Sequence, residues 1–175
     1  IFSFIFCILF LFYSFAQEDN KLVSLSKQII EAKTDSELHQ AFEELKDLYF
    51  KDNKYTEFVE FLESLKAQKD TLAPFTNYYI ALSHYRQLKH LEEAQAWDEY
   101  FSQGNTSRDQ VTSGAQKSID STTAKEELNI YARLLLWQFH SDQQDAFHEQ
   151  ALSDLTNATL EYSKEASNPK AIKDV

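Results

Sequence analysis

The chain has 175 residues and a formal charge of −11, with 28 acidic side chains against 17 lysines and arginines. Binding a phosphate backbone or an anionic lipid surface needs a basic field, so nucleic acid is not an expected partner and basic peptides or proteins are favoured. Aromatic residues make up 14% of the chain, while glycine and proline number two each, a composition that favours helices over a glycine-turned β fold.

Residues 1–16, IFSFIFCILFLFYSFA, carry no charge, and the polar run QEDNK follows at once. The run is shorter than the roughly 20 apolar residues that span a bilayer comfortably. It has the length of a signal-peptide core and ends in Ser14-Phe15-Ala16, with small residues at the two positions that signal peptidase reads. We expect cleavage after Ala16 and export to a periplasm or the exterior, with association at an outer membrane as a further setting. A retained N-terminal anchor is the alternative. Cys7 is the only cysteine. The large aromatics around it argue against a lipidation signal, and with the leader gone the mature protein would have no disulfide and no thiol chemistry. Neither an initiator Met nor a basic segment precedes Ile1, so the chain reads as clipped at its start.

Residues 17–33 hold a first short helix, with Leu22, Leu25 or Ser26, Ile29 and Ile30 on one face. Thr34-Asp35-Ser36-Glu37 reads as a capping box, in which Thr34 caps and Glu37 returns to its amide. The helix that follows carries Leu38, Ala41, Phe42, Leu45, Leu48 and Tyr49. Lys51-Asp52-Asn53-Lys54 is a turn, after which Tyr55, Phe58, Phe61, Leu62 and Leu65 resume the stripe. So short a link forces an antiparallel hairpin. Pro74 suits the first turn of the next helix, where its missing N–H costs nothing, and Tyr78, Ala81, Leu82, Tyr85 and Leu88 line it. A partner helix is expected after Lys89-His90, with Leu91, Ala94, Trp97, Phe101 and Tyr100, stopped by Gly104. Residues 34–103 thus make two hairpins. Residues 104–123, rich in Ser, Thr, Gly and Asp, read as a polar surface excursion or a poorly packed short helix. Thr123-Ala124-Lys125-Glu126 reads as a second capping box, opening a third hairpin over 124–167. Its first helix carries Leu128, Tyr131, Leu135 and Phe139, and a turn falls at 140–143. Its second helix, over 144–166, carries Phe147, Ala151, Leu155, Ala158 and Tyr162. Asn168-Pro169 marks the start of a further helix over 168–175, cut short at Val175.

The first two hairpins superpose at an offset of 36 residues, with Phe42-x-x-Leu45-x-x-x-Tyr49-x5-Tyr55-x-x-Phe58 laid over Tyr78-x-x-Ala81-x-x-x-Tyr85-x5-Leu91-x-x-Ala94. A period of roughly 20–50 residues built from helix pairs marks a solenoid, because one hairpin cannot bury its own apolar face and a stacked neighbour can. On these residues the chain resembles the tetratricopeptide repeat family, over about residues 38–153. The nearest stretch is YYIALSHYRQLKHLEEAQAWDEYF, with Tyr78 at the early aromatic position, Tyr85 at the mid-helix tyrosine, Leu91 at the inter-helix aromatic and Ala94 at the small residue. A degenerate third copy runs from Ile130, with Trp137 at the mid-helix aromatic, Gln143 replacing the inter-helix one and Ala146 at the small position. Lys46, Leu82 and Leu134 stand where the family favours an early small residue, and the repeat-terminal proline is missing. A helical-hairpin array outside the family is the alternative.

The resemblance implies an all-α fold, a right-handed superhelix of antiparallel helix hairpins, whose first helices line a concave groove for an extended peptide or a partner helix. It places that groove at Glu43, Asp47 and Phe50 in the first copy, Tyr79, Ser83 and Arg86 in the second, and Tyr131, Leu135 and Gln138 in the third. Acids beside aromatics favour a partner with basic character.

Catalytic and metal chemistry find little support. His39, His84, His90, His140 and His148 form no HExxH spacing, and two glycines cannot build a phosphate loop. The acid pairs Glu43/Glu44, Glu92/Glu93 and Glu126/Glu127 fall on helix flanks or first turns, where solvent and the helix dipole account for them. No cofactor and no metal are expected. Two sequons stand at Asn105 and Asn157. The expected function is that of an exported, non-catalytic scaffold for protein interaction or envelope assembly. The alternative is a helical accessory domain of a larger exported enzyme whose catalytic part lies beyond Val175.

Overall fold

The computed structural model describes residues 20–124 and 126–166. The leader, with its proposed end at Ala16, and the helix start at Asn168-Pro169 lie outside the described residues. The regular structure among the described residues is helical throughout. It comprises α1 (20–31), α2 (Asp35–Phe50), α3 (Tyr55–Gln68), a short 3-10 turn (Asp70–Leu72), α4 (Ala73–Glu93), α5 (Trp97–Asp120), α6 (Glu127–Gln143) and α7 (His148–Ala166). The all-α class read from composition and periodicity is therefore what forms. None of these helices is long and apolar enough to cross a membrane.

Two compact units meet at the boundary between Asp52 and Asn53. In the described part of the first, α2 opens at the expected capping box. Thr34 Oγ1 accepts from the Glu37 amide at 3.2 Å, and the Glu37 carboxylate accepts from the Thr34 amide at 3.3 Å and the Lys33 amide at 2.8 Å. Those two backbone N–H groups, Lys33 first, hold the Glu37 carboxyl below its ordinary value. Leu25 and Ile29 of α1 are buried, as are Ala41, Phe42 and Leu45 of α2, the three- and four-residue steps of amphipathic helices. Because the boundary falls in the turn after α2, the two helices expected to form the first hairpin belong to different units.

The second unit is built around α4. Leu72 and Phe75 anchor its start, and Pro74 sits in its first turn as the sequence implies. Phe58 of α3 meets Tyr79 edge-on, with ring centroids 6.5 Å apart. The opposite side of α4 joins α5 and α6 in two clusters, Ala81–Ala115–Leu135 and Leu88–Val111–Phe139, with Tyr85 packed against both. Tyr85 also donates to Asp142 of α6 at 2.7 Å. Burial, followed by that bond, pushes its phenol up to about 12.

Several expected boundaries are corrected. The polar stretch 104–123 is helix almost to its end, because α5 runs without interruption through Gly104 to Asp120. Its buried positions are Gly104, Ser107, Val111, Gly114, Ala115, Ser118 and Ile119, a three–four pattern written in small residues. A helix can bury such a face by close approach instead of with bulky anchors. A Cβ on Gly114 would stand 3.0 Å from the Asn77 carbonyl oxygen and 3.1 Å from the Ala81 Cβ, so α4 and α5 touch almost backbone to backbone.

Other helices end later than expected. No turn forms at Lys89-His90 or at 140–143, since α4 continues to Glu93 and α6 to Gln143. The later reversals fall instead around Gln95 and Gln144, which, like Asn53 in the expected turn at 51–54, are in the left-handed region, with φ of 55°, 51° and 56°. These reversals are spaced 42 and then 49 residues apart (53 to 95, 95 to 144), wider than the 36-residue offset of the sequence pattern. Ala94 and Ala146, expected at the small position of a helix crossing, are exposed residues of the reversals. At the second proposed capping box, Thr123 does bond Glu126, but α6 begins three residues later than that box implies, at Glu127 with Glu126 as its cap.

His84 of α4 is half-buried, and its Nδ1 has no hydrogen-bond partner. Burial holds its imidazole below the ordinary value. The unfolded chain therefore takes up a proton that the folded chain resists. Stability is full above about pH 6.5 and declines as the pH falls below that toward the depressed folded pKa. Denaturant titrations at about pH 7.5 and about pH 5.5 should show a smaller acid loss in His84→Gln than in the parent. An identical loss in both would assign the acid sensitivity elsewhere.

Candidate functional site

Three of the residues carried over from the repeat pattern are buried in the second unit. Tyr79, Ser83 and Leu135 are core residues, at most 2% exposed. Tyr79 lies among Phe58 and Tyr78, the Ser83 hydroxyl donates to the Tyr79 carbonyl at 2.7 Å, and Leu135 packs on Ala81 and Ala115. These three cannot line a groove. Arg86 and Gln138 are exposed, and Tyr131 is half-buried with its ring 6.5 Å from that of Tyr78. Glu43, Asp47 and Phe50 belong to the first unit, where Lys46 is ion-paired with both acids. The two sequon asparagines, Asn105 and Asn157, are exposed on α5 and α7, not in a loop.

Two features of the second unit stand out instead. The first is an aromatic prominence at the head of α5. Trp97 is 47% and Phe101 71% exposed. With Tyr100 they form a cluster of three rings, Tyr100 edge-on to both and Trp97 tilted against Phe101, with centroids 5.6 to 6.4 Å apart. Arg108 braces it from the next turns, donating to the Tyr100 hydroxyl at 3.1 Å with its guanidinium carbon 5.5 Å from that ring. Exposed acids flank the trio on both sides, Glu92 and Glu93 before it and Asp98 and Glu99 within it. Scattered exposed apolar residues are ordinary, but a contiguous aromatic group is the usual mark of a contact surface. The sequence pattern placed these rings on a core stripe. They stand in the first turns of α5, in phase with its buried face (Trp97 is seven residues before Gly104), and are exposed there all the same.

The second feature is a cavity of about 160 Å³ among α5, α6 and the start of α7. Ile119, Leu136, Phe147 and Ala151 supply its apolar wall, Arg133 and Asp154 its charged groups, and His140 lies beside them. The network that sets Arg133 begins at Asn129, which is 1% exposed. The Asn129 amide donates to the Ile119 carbonyl at 3.1 Å and the Thr122 hydroxyl at 3.0 Å, tying α6 to the end of α5. Its oxygen accepts from Arg133 Nε at 2.8 Å. A buried amide with its capacity used this fully is a rigid support.

His140 Nδ1 lies 2.8 Å from Asp145 Oδ2, and the Phe147 amide donates to the other carboxylate oxygen at 2.8 Å. Burial alone would raise the Asp145 carboxyl; the His140 and Phe147 bonds outweigh it and hold it below its ordinary value. Through these two bonds Asp145 ties the His140 ring to the backbone of the α6–α7 reversal. Among the described residues, no group of three or more His, Cys, Asp or Glu side chains could hold a metal ion. No family model, no characterised protein and no solved structure matches this chain.

Proposed function

We propose that the protein is a non-catalytic helical interaction module, whose contact surface in the second unit is the Trp97–Tyr100–Phe101 prominence. The observation that carries this reading is the exposure of two neighbouring aromatic rings in the free chain. Burying such rings against a partner gains far more than burying polar surface, and tryptophan and tyrosine dominate contact energies. The flanking acids select the partner's chemistry: a segment with an apolar anchor and basic neighbours, drawn in by the chain's −11 charge.

Two further elements of the proposal rest on the sequence. Export follows from the apolar run ending at Ala16. Membership of a tetratricopeptide-like array follows from the 36-residue pattern. The successive hairpins α4–α5 and α6–α7 are consistent with an array, though their spacing is wider than the pattern.

A peptide of alternating leucine and lysine clusters, titrated by tryptophan fluorescence and calorimetry, tests the contact surface. Trp97→Ala and Phe101→Ala should each weaken binding by about tenfold or more, while leaving stability within about 0.5 kcal/mol. Reversing the charges of Glu43 and Asp47 should leave binding unchanged. The opposite pattern would return the contact surface to α2.

A further inference from the structure

The cavity among α5, α6 and α7 carries chemistry that a protein-contact role does not use. Arg133 lines it with a guanidinium oriented through Nε by the buried Asn129, yet no carboxylate among the described residues lies within ion-pairing distance of it. Asp154 lines the same cavity and likewise has no cationic partner there; one of its oxygens accepts from Gln150 at 2.9 Å. Both residues also border a second, shallower depression on the α7 side, so they share one wall while remaining unpaired with each other. An arginine and an aspartate held close but not joined leave both a carboxylate site and an ammonium site open. Arginine's remaining N–H groups suit a carboxylate, and the free Asp154 oxygen suits an ammonium. His140 is hydrogen-bonded to Asp145, and Glu161 borders the shallower depression without an ion pair to Arg133.

The rest of the lining sets what lies between those charges. Ile119, Leu136, Phe147 and Ala151 form an apolar surface, with Phe147 largely exposed and its ring 5.6 Å from His140. A void of about 150 Å³ takes a benzene-sized molecule, which is also the size of a branched aliphatic or aromatic side chain. Sites for small molecules combine this kind of apolar wall with a few fixed polar groups.

We infer that this cavity binds a free α-amino acid with an apolar side chain, its carboxylate on Arg133, its ammonium on Asp154 and its side chain against Ile119, Leu136 and Phe147. A simple carboxylate would place its charge opposite Arg133 but leave Asp154 facing an apolar group. A simple amine would leave Arg133 unmatched. Only a zwitterion answers both.

Calorimetric titration of the full chain with leucine, 4-methylpentanoate and leucinamide separates these cases, since the second lacks the ammonium and the third the carboxylate. Leucine should bind saturably, and both analogues should bind about tenfold or more weakly. Arg133→Gln and Asp154→Asn should each weaken leucine by a similar factor, with unchanged circular dichroism and melting temperature. Trp97→Ala should bind leucine normally, which keeps this test independent of the aromatic contact surface. Absence of saturable leucine binding, or 4-methylpentanoate binding as well as leucine, would overturn the inference. So would full leucine affinity in either well-folded cavity variant.

Discussion

Gly114→Val should be among the most destabilising single substitutions in the second unit, costing about 3 kcal/mol or more. The position is set by contact, not by backbone freedom, for Gly114 lies in the middle of α5 with ordinary helical angles. Its added Cβ would meet a backbone carbonyl of α4 at 3.0 Å and the Ala81 Cβ at 3.1 Å. Neither is the end of a flexible side chain, so the helices themselves must part. Alanine at this site gains about 1 kcal/mol of helix propensity against about 1–3 kcal/mol of overpacking, leaving a net loss of about 1 kcal/mol. Valine adds two more methyl groups and a weaker propensity. Gly104 supplies the control on the same helix, where an added Cβ meets nothing nearer than the Arg108 guanidinium carbon at 4.0 Å. Gly104→Ala should therefore stabilise by up to about 1 kcal/mol. Urea midpoints for the three variants decide the matter. Equal signs at the two glycines would mean that α4 and α5 are not in close contact.

That contact also shows where the sequence could be read and where it could not. Large apolar residues at helical steps marked α2, α3, α4 and α6 correctly, because bulky side chains are both the signal and the packing material. The second half of α5 makes its contact with Gly, Ser and Ala, residue types that also furnish turns, and its three–four spacing was masked by that double meaning. The turn at 51–54 is legible, but the two later reversals are not, for a related reason. The chain's two glycines are both inside α5, and those reversals fall at Gln95 and Gln144, which carry no strong stop signal. Trp97 and Phe101 keep the phase of the buried face of α5, Trp97 seven residues before Gly104, yet in the first turns of the helix they are exposed. The cavity was legible only in part. Arg133, Asn129 and Asp154 are scattered over 26 positions of sequence (129 to 154) and meet because α6 and α7 fold back on each other.

Tyr79→Ala should cost about 3–5 kcal/mol in the free protein, and this separates a core residue from a groove residue. Tyr78 and Tyr79 are adjacent, about 100° apart around α4, and the repeat pattern assigned the core to the first and the groove to the second. The packing reverses that assignment. Tyr79 has no exposed surface, with Phe58 edge-on at 6.5 Å and Tyr78 at 4.9 Å, whereas Tyr78 is half-buried beside Tyr131. Truncating Tyr79 removes a whole ring from the contact between α3 and α4, and the helices can close the void only partly. A groove residue would behave differently: its truncation would spare the free protein and weaken only the complex. The measurement is denaturant unfolding without any partner, beside Trp97→Ala, which should fall within about 0.5 kcal/mol of the parent. A Tyr79 variant as stable as the Trp97 variant would restore the groove assignment. A large loss would mean that any binding defect of Tyr79→Ala follows the unfolded fraction, and that recognition by α4 cannot pass through this ring.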